Sequence, residues 1–223
     1  MKKIIIPLFT ILAFNSAQAQ QKPLTKNNKQ PVTSKQKQEL FGIFAGPNLN
    51  YLDYYDKATT IEGTNTSFHA GLLFQRNINK CFALQPALLF SIHGGKIRDI
   101  DSTMNIKLMN IELPINFLYR YKQLMIGVGP NFSYGINGKI EDHGNKRDVY
   151  DVSESFERTL KRFEFGGNFM ISYIFKKGLL VTINFSPGFT NIYQGDGSAP
   201  RNLKAKTRMF GISIGYIFGT NNE

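Results

Sequence analysis

The strictest constraint on this chain is a strict two-residue alternation that recurs along most of its length. Met109, Ile111, Leu113, Ile115, Phe117, Tyr119 and Tyr121 take every second position, with Asn110, Glu112, Pro114, Asn116, Leu118 and Arg120 between them. Side chains of a strand alternate between its two faces, so this run has one wholly apolar face and one largely polar face. A second run sets Leu124, Ile126, Val128, Pro130, Phe132, Tyr134 and Ile136 against Met125, Gly127, Gly129, Asn131, Ser133, Gly135 and Asn137. Similar runs cover 68–74, 82–92, 163–175, 179–185 and 210–218, and a first one lies near Phe41 to Tyr51, which makes eight. No segment carries a helical period.

The links between runs alternate in length. Asn77-Ile78-Asn79-Lys80, Lys122-Gln123 and Lys176-Lys177-Gly178 are tight turns, whereas the links near 52–66, 96–105, 138–160 and 193–203 are long. Short turns on one side and long loops on the other are the signature of an outer-membrane barrel, and several runs reach the 9 to 11 residues or so that a tilted spanning strand requires. The expected fold is all-β, an eight-stranded antiparallel up-and-down transmembrane β-barrel. Pro86, Pro114, Pro130 and Pro187 lie inside the runs, where each removes a ladder donor, and bulges are expected to absorb them.

The opening residues fit an exported chain. Lys2 and Lys3 precede an apolar stretch from Ile4 to Phe14 and then Ala17-Gln18-Ala19, the layout of a signal peptide over 1–19. Residues 20–40 are rich in Lys, Gln, Asn, Thr and Pro and read as a disordered basic periplasmic arm. The barrel is expected over 41–219, with a tail at 220–223. A single cysteine, Cys81, excludes an internal disulfide framework. The net charge of +11 would point to nucleic acid on a cytoplasmic protein. On an exported barrel it places Lys and Arg in arms, loops and turns beside anionic lipid headgroups, with no nucleic-acid partner.

The structural rival is a soluble lipocalin-like ligand-binding barrel, with its apolar faces inside. Two features favour the membrane form. The faces opposite the apolar ones hold Gly, Asn, Ser, Thr, Glu and Arg, a mixture suited to a wet, narrow lumen. Aromatic residues also gather at strand ends, at Tyr119, Tyr121, Tyr134, Tyr173, Tyr216 and Phe218, as interfacial girdles do.

Several segments together resemble the PorT-like family of outer-membrane β-barrel proteins. They are Phe68-His69-Ala70-Gly71, Leu84 to Ser91 (LQPALLFS), Asn110 to Ile115 (NIELPI), Gly127-Val128-Gly129-Pro130, Gly188 to Ile192 (GFTNI) and Arg208 to Phe218. They are spread over nearly all of the mature chain. The resemblance implies an eight-stranded, porin-like barrel in the outer membrane of a Gram-negative cell, and no shared catalytic residues. One founding member is associated with a protein secretion system, while most relatives have no assigned task. The last run ends on Phe218, like the terminal aromatic that barrel-assembly machinery reads, so that machinery is an expected partner during biogenesis alongside outer-membrane lipid. A further surface or periplasmic protein partner is left unnamed.

An eight-stranded barrel is just wide enough to be filled by side chains. Glu112 and Arg120 lie on the lumen side of one strand, and each is expected to pair with a charge from another strand, Arg162 or Glu164 being the candidates. With His93 they form the expected lumen polar network. The functional reading is a gated ion path. The bland reading, which burial cost favours, is a structural network whose charges must be paired.

His69 and His93 could share the lumen with Ser91 and Glu112, the minimum for an acyl hydrolase, and hydrogen-bond geometry among His, Ser and carboxylate would decide that reading. No spacing singles these residues out, so no enzyme is expected. His143 with Asp142 and Glu141 lacks the ligand-pair spacing of a metal site, and Gly195-Asp196-Gly197-Ser198 is a turn without a Walker-type lysine. No metal and no cofactor are expected. The mixed charges of Gly138 to Leu160 read as a solvated external loop, where binding functions usually reside. The expected role is structural or interactive through external loops with little conductance, a narrow pore for ions or small solutes being the alternative.

Overall fold

The computed structural model describes residues 39–54, 61–98, 103–142, 145–150, 160–193 and 205–219. The expected signal peptide, residues 20–38 of the expected arm and the tail at 220–223 lie outside the described residues, while Glu39 and Leu40, expected in the arm over 20–40, open the first strand. Ten strands run β1 (Glu39–Tyr54), β2 (Ile61–Gly63), β3 (Asn65–Asn77), β4 (Phe82–Arg98), β5 (Thr103–Tyr121), β6 (Leu124–Asp142), β7 (Asn145–Asp148), β8 (Phe163–Ile174), β9 (Leu179–Pro187) and β10 (Ala205–Phe218). The short β2 and β7 only extend β4 and β6. The other eight each pair antiparallel with the next, and β1 pairs with β10 from Phe41↔Phe218 to Tyr54↔Ala205, so the sheet closes.

Closure turns the alternation into an inside and an outside. The apolar faces point outward: Phe41, Leu72, Leu88, Leu113, Ile126, Phe169, Ile183 and Ile214 are all exposed. The opposite faces are buried and polar, with Asn48, His69, Gln85, Glu112, Asn131, Asn168 and Ser213 among them. A lipocalin-like carrier has the reverse polarity, and that rival is set aside. Among the described residues no helix is long and apolar enough to cross a membrane. The strands make the crossing.

The prolines are accommodated differently from the sequence expectation. The β4–β5 register is the same on both sides of the unpaired stretch at Pro114, and the β5–β6 register is the same on both sides of Pro130. The chain drops local ladder pairs at its prolines instead of inserting a residue. The one bulge in that hairpin falls between Met109 and Asn110, away from any proline. Beyond it the parity of β6 reverses, so Gly138 turns inward while Asn137 and Lys139 are exposed. Asn137, placed on the lumen face by strict alternation, is therefore outside.

One sequence pattern occurs twice, as Gly46-Pro47-Asn48-Leu49-Asn50-Tyr51 on β1 and Gly129-Pro130-Asn131-Phe132-Ser133-Tyr134 on β6. In both copies a Cβ on the glycine would collide with a carbonyl oxygen of the neighbouring strand, that of Ile212 or Ile115. Both asparagines are buried in the lumen and both tyrosines face outward. The backbones approach most closely where the following proline lacks a donor, and only glycine fits there.

Gly129→Ala is expected to destabilise the barrel by on the order of 1–3 kcal/mol through overpacking against a fixed carbonyl. Leu113→Lys, which puts a charge on the lipid face near mid-belt, should cost about 2–4 kcal/mol. Urea unfolding in phospholipid vesicles measures both. An unchanged midpoint for Leu113→Lys would contradict the lipid exposure of that face.

Candidate functional site

With the outer face given to lipid, the chemistry of this chain is confined to the lumen and the two rims. The lumen is layered. At the turn end Leu40, Leu73, Ala83, Ala87, Leu89, Leu118, Met125, Met170, Leu180 and Ile217 form one apolar cluster. At the loop end Leu52, Ile106, Leu108, Val149, Leu160, Ile192, Tyr193 and Ala205 form another. Between them lies a polar band centred on Glu112.

Glu112 is 1% exposed on β5 and collects donors from both neighbouring strands. Ser91 Oγ on β4 donates to its Oε1, and His93 Nε2, two residues further along β4, lies 2.8 Å from the same oxygen. Asn131 Nδ2 on β6 donates to Oε2 at 2.6 Å. Asn110 Nδ2 extends the network to Ser133 Oγ at 3.0 Å and lies 3.3 Å from His93 Nδ1. Register explains the convergence: Glu112 faces Leu89 on β4 and Ser133 on β6, so Ser91 and Asn131 are its same-face diagonal neighbours. A second chain of bonds runs from Ser186 to Asn168 at 2.7 Å and from Asn168 to Asn116 at 2.9 Å.

The five residues singled out from sequence divide into two groups. His93, Glu112 and Glu164 share the lumen: Glu164 accepts from Thr207 Oγ1 and lines the same small cavity as His93. Arg120 and Arg162 stand at opposite ends. Eight residues of strand, roughly 26 Å, separate Arg120 from Glu112, and Arg120 sits half-buried at the turn end. Arg162 lies at the loop end, its guanidinium 4.2 Å from the Tyr150 ring centroid, donating to the carbonyls of Gly135 at 3.0 Å and Ile136 at 3.3 Å. The expected pairing of Glu112 and Arg120 with Arg162 or Glu164 is thus corrected: histidine, serine and asparagine, not arginine, meet the Glu112 carboxylate. Ser91, a candidate nucleophile by sequence, instead donates to Glu112, and Asn131 and Thr207, which no sequence motif marks, complete the carboxylate contacts. Their signal was the lumen parity of neighbouring strands.

Arg162 and Tyr150 help close the loop end. Val149 and Tyr150 follow β7 and fold inward over Gly138 and Gly135, where a Cβ would strike them. The chain is pinned there by Val149 N to Gly138 O at 3.1 Å, Leu160 N to Val149 O at 2.9 Å and Lys161 N to Ile192 O at 2.7 Å. Burial pushes the Tyr150 hydroxyl up to about 12, with Arg162 opposing, so Tyr150 stays neutral there.

Ser91, His93 and Glu112 do meet, but in an order that disfavours acyl transfer. In a catalytic triad the imidazole stands between hydroxyl and carboxylate and takes the hydroxyl proton. Here the hydroxyl and the imidazole share one carboxylate oxygen, and Ser91 is fully buried. A lumen cavity lined by His69, Glu112, Asn131 and Asn168 among others measures about 40 Å³, room for a few waters. Buried polar atoms without a protein partner, Nδ1 of His69 and both amide atoms of Asn48 among them, suit such waters. Among the described residues no group of three or more metal-ligating side chains converges. His143 and the 195–198 turn lie outside the described residues.

An antiparallel eight-stranded barrel with an apolar exterior and a polar interior is an outer-membrane protein, crossing by its strands. Residues 18–194 match the family model for the outer membrane protein beta-barrel domain, and the chain belongs to that family. Among solved structures it is similar to Neisserial surface protein A (TM-score 0.51, 11% identity, covering 79% of this chain and 96% of that one). It is also similar to OprG from Pseudomonas aeruginosa (TM-score 0.46, 13% identity, 82% and 97%). A third is Ail, the attachment invasion locus protein of Yersinia pestis (TM-score 0.46, 8% identity, 80% and 98%). No curated protein sequence matches the chain.

Glu112→Ala is expected to destabilise the barrel by about 3–5 kcal/mol, since it strands the buried donors of His93, Ser91 and Asn131. Ser91→Ala should cost about 1 kcal/mol. Urea midpoints in vesicles compare the two, and equal effects would show that Glu112 is not the hub.

Proposed function

We propose that this protein is a non-conducting, non-enzymatic barrel whose task is structural or is carried by interactions of its external loops. The observation that carries the reading is the filled lumen: the polar band around Glu112 is stopped at both ends by apolar clusters, and its cavity holds only a few waters. Ion passage needs a continuous wet path, and side chains from all eight long strands interrupt it. A rigid, filled barrel is a pedestal, and loops on a rigid scaffold are where binding functions concentrate. The sharing of one Glu112 oxygen by Ser91 and His93 supports a structural role for those groups. Membership of the PorT-like group within the family is part of the same reading, supported by segments such as Asn110 to Ile115 and Gly127 to Pro130.

Purified barrel inserted into planar lipid bilayers is expected to give no stepwise current. Ser91→Ala is expected to leave any background hydrolysis of a short-chain nitrophenyl ester unchanged. Discrete openings would favour the narrow-pore alternative, and ester turnover lost in Ser91→Ala would favour a hydrolase.

A further inference from the structure

We propose that the turn-end rim of the barrel is a binding surface for the phosphate headgroups of acidic phospholipids in the periplasmic leaflet. Every tight turn presents lysine: Lys80 between β3 and β4, Lys122 between β5 and β6, and Lys176 and Lys177 between β8 and β9. Arg76, near the end of β3, joins them, and all five side chains are exposed. The acidic residue at this end among the described residues is Glu39, the register partner of Arg76. The loop end, by contrast, mixes signs, as where Arg208 pairs with Asp53 at 3.1 Å.

Two of these lysines occupy backbone that lysine disfavours. Lys122 has φ 53° and Lys177 φ 67°, the left-handed region where glycine or asparagine is easier to place. Turn stability alone favours one of those residues, so lysine at both positions points to a use for the exposed ammonium groups. The depth of the ring identifies the anion. Immediately on its membrane side runs an aromatic girdle, with Phe82 and Tyr119 rings 5.6 Å apart, Tyr173 and Phe175 4.7 Å apart, and Tyr216 and Phe218 5.1 Å apart. Lys122 Nζ lies 5.5 Å from the Tyr121 ring centroid, so its charge stays beside the wall instead of reaching into the aqueous space. Cations one or two residues beyond an aromatic girdle stand level with lipid phosphates, and lysine serves as a point-charge partner for them.

The inference rests on the membrane placement of the barrel and is independent of whether the lumen conducts. The test uses the mature chain folded in zwitterionic detergent, titrated with phosphatidylglycerol and with phosphatidylcholine of the same acyl chains, bound lipid being counted by native mass spectrometry. Wild type is expected to prefer phosphatidylglycerol. The double variant Lys122→Gly, Lys177→Gly relieves both strained turns, so it keeps the heat-dependent gel mobility of a folded barrel, and should lose about five-fold in that preference per lysine. Lys80→Gln with Lys176→Gln should lower it further. Equal binding of the two lipids by wild type, or an unchanged preference in the double variant, would overturn the proposal; the second result would assign the preference to the basic arm, which the variant retains. Loss of co-sedimentation with peptidoglycan sacculi in the variant, without any lipid preference in wild type, would also overturn it and make the rim a polymer-binding surface.

Discussion

The β1–β10 seam is the contact on which the rest depends. Hydrocarbon offers no partner to a backbone N–H or C=O, so a sheet can stay in it only if its first and last strands satisfy each other. The pairing of Phe41 with Phe218 through Tyr54 with Ala205 does this, and it leaves each residue one of two fates, lipid or lumen. Gly46 sits on this seam, and the absence of its side chain lets β1 come close to Ile212 and Ser213 of β10. The hydrophobic effect, which builds the interior of a soluble protein, acts here on the outside.

That inversion leaves the interior to polar groups, which must then satisfy one another. A carboxylate such as Glu112 is costly to bury and gains little as an isolated ion pair. Its arrangement meets the cost by drawing donors from β4 and β6, so that one side chain on β5 ties three consecutive strands together. The two apolar clusters complete the filling with the same chemistry as an ordinary core. An interior built this way favours a single wall-to-wall packing over a channel.

The strands, the short turns and the sidedness of the barrel were readable in the sequence because a strand states its own period. The eight runs correspond to the eight long strands. The register of β5 against β6 was readable as well, since the two-residue turn Lys122-Gln123 makes Tyr121 face Leu124 and thereby sets Glu112 against Ser133. The β4–β5 register was not, because a long link joins those strands, and so the meeting of His93 and Ser91 with Glu112 stayed hidden. The bulge beside Met109 was invisible too: nothing in the local composition announces a change of parity, and strict alternation put Asn137 on the wrong face. Arg120 and Arg162 were assigned to one network because parity reports which face a residue takes but nothing about how far along the barrel it stands.

Height along the barrel axis therefore decides the roles of residues that parity alone makes equivalent. Glu112 and Arg120 are on one face of one strand, yet one lies in the polar band and the other near the turns. Lys122, two residues past Arg120, opens the turn in a left-handed backbone and keeps its ammonium beside the Tyr121 ring. A polar residue at mid-height is compelled to find protein partners, whereas a charged residue at a rim is free to face what lies outside. Among the described residues the two rims carry the exposed charges, and they differ in kind. The turn rim carries nearly one sign of charge at a uniform depth, which suits a repeating, chemically simple partner such as a leaflet of headgroups. At the loop rim the described residues pair opposite charges, as in Arg208 with Asp53, and Val149, Tyr150 and Leu160 pack inward.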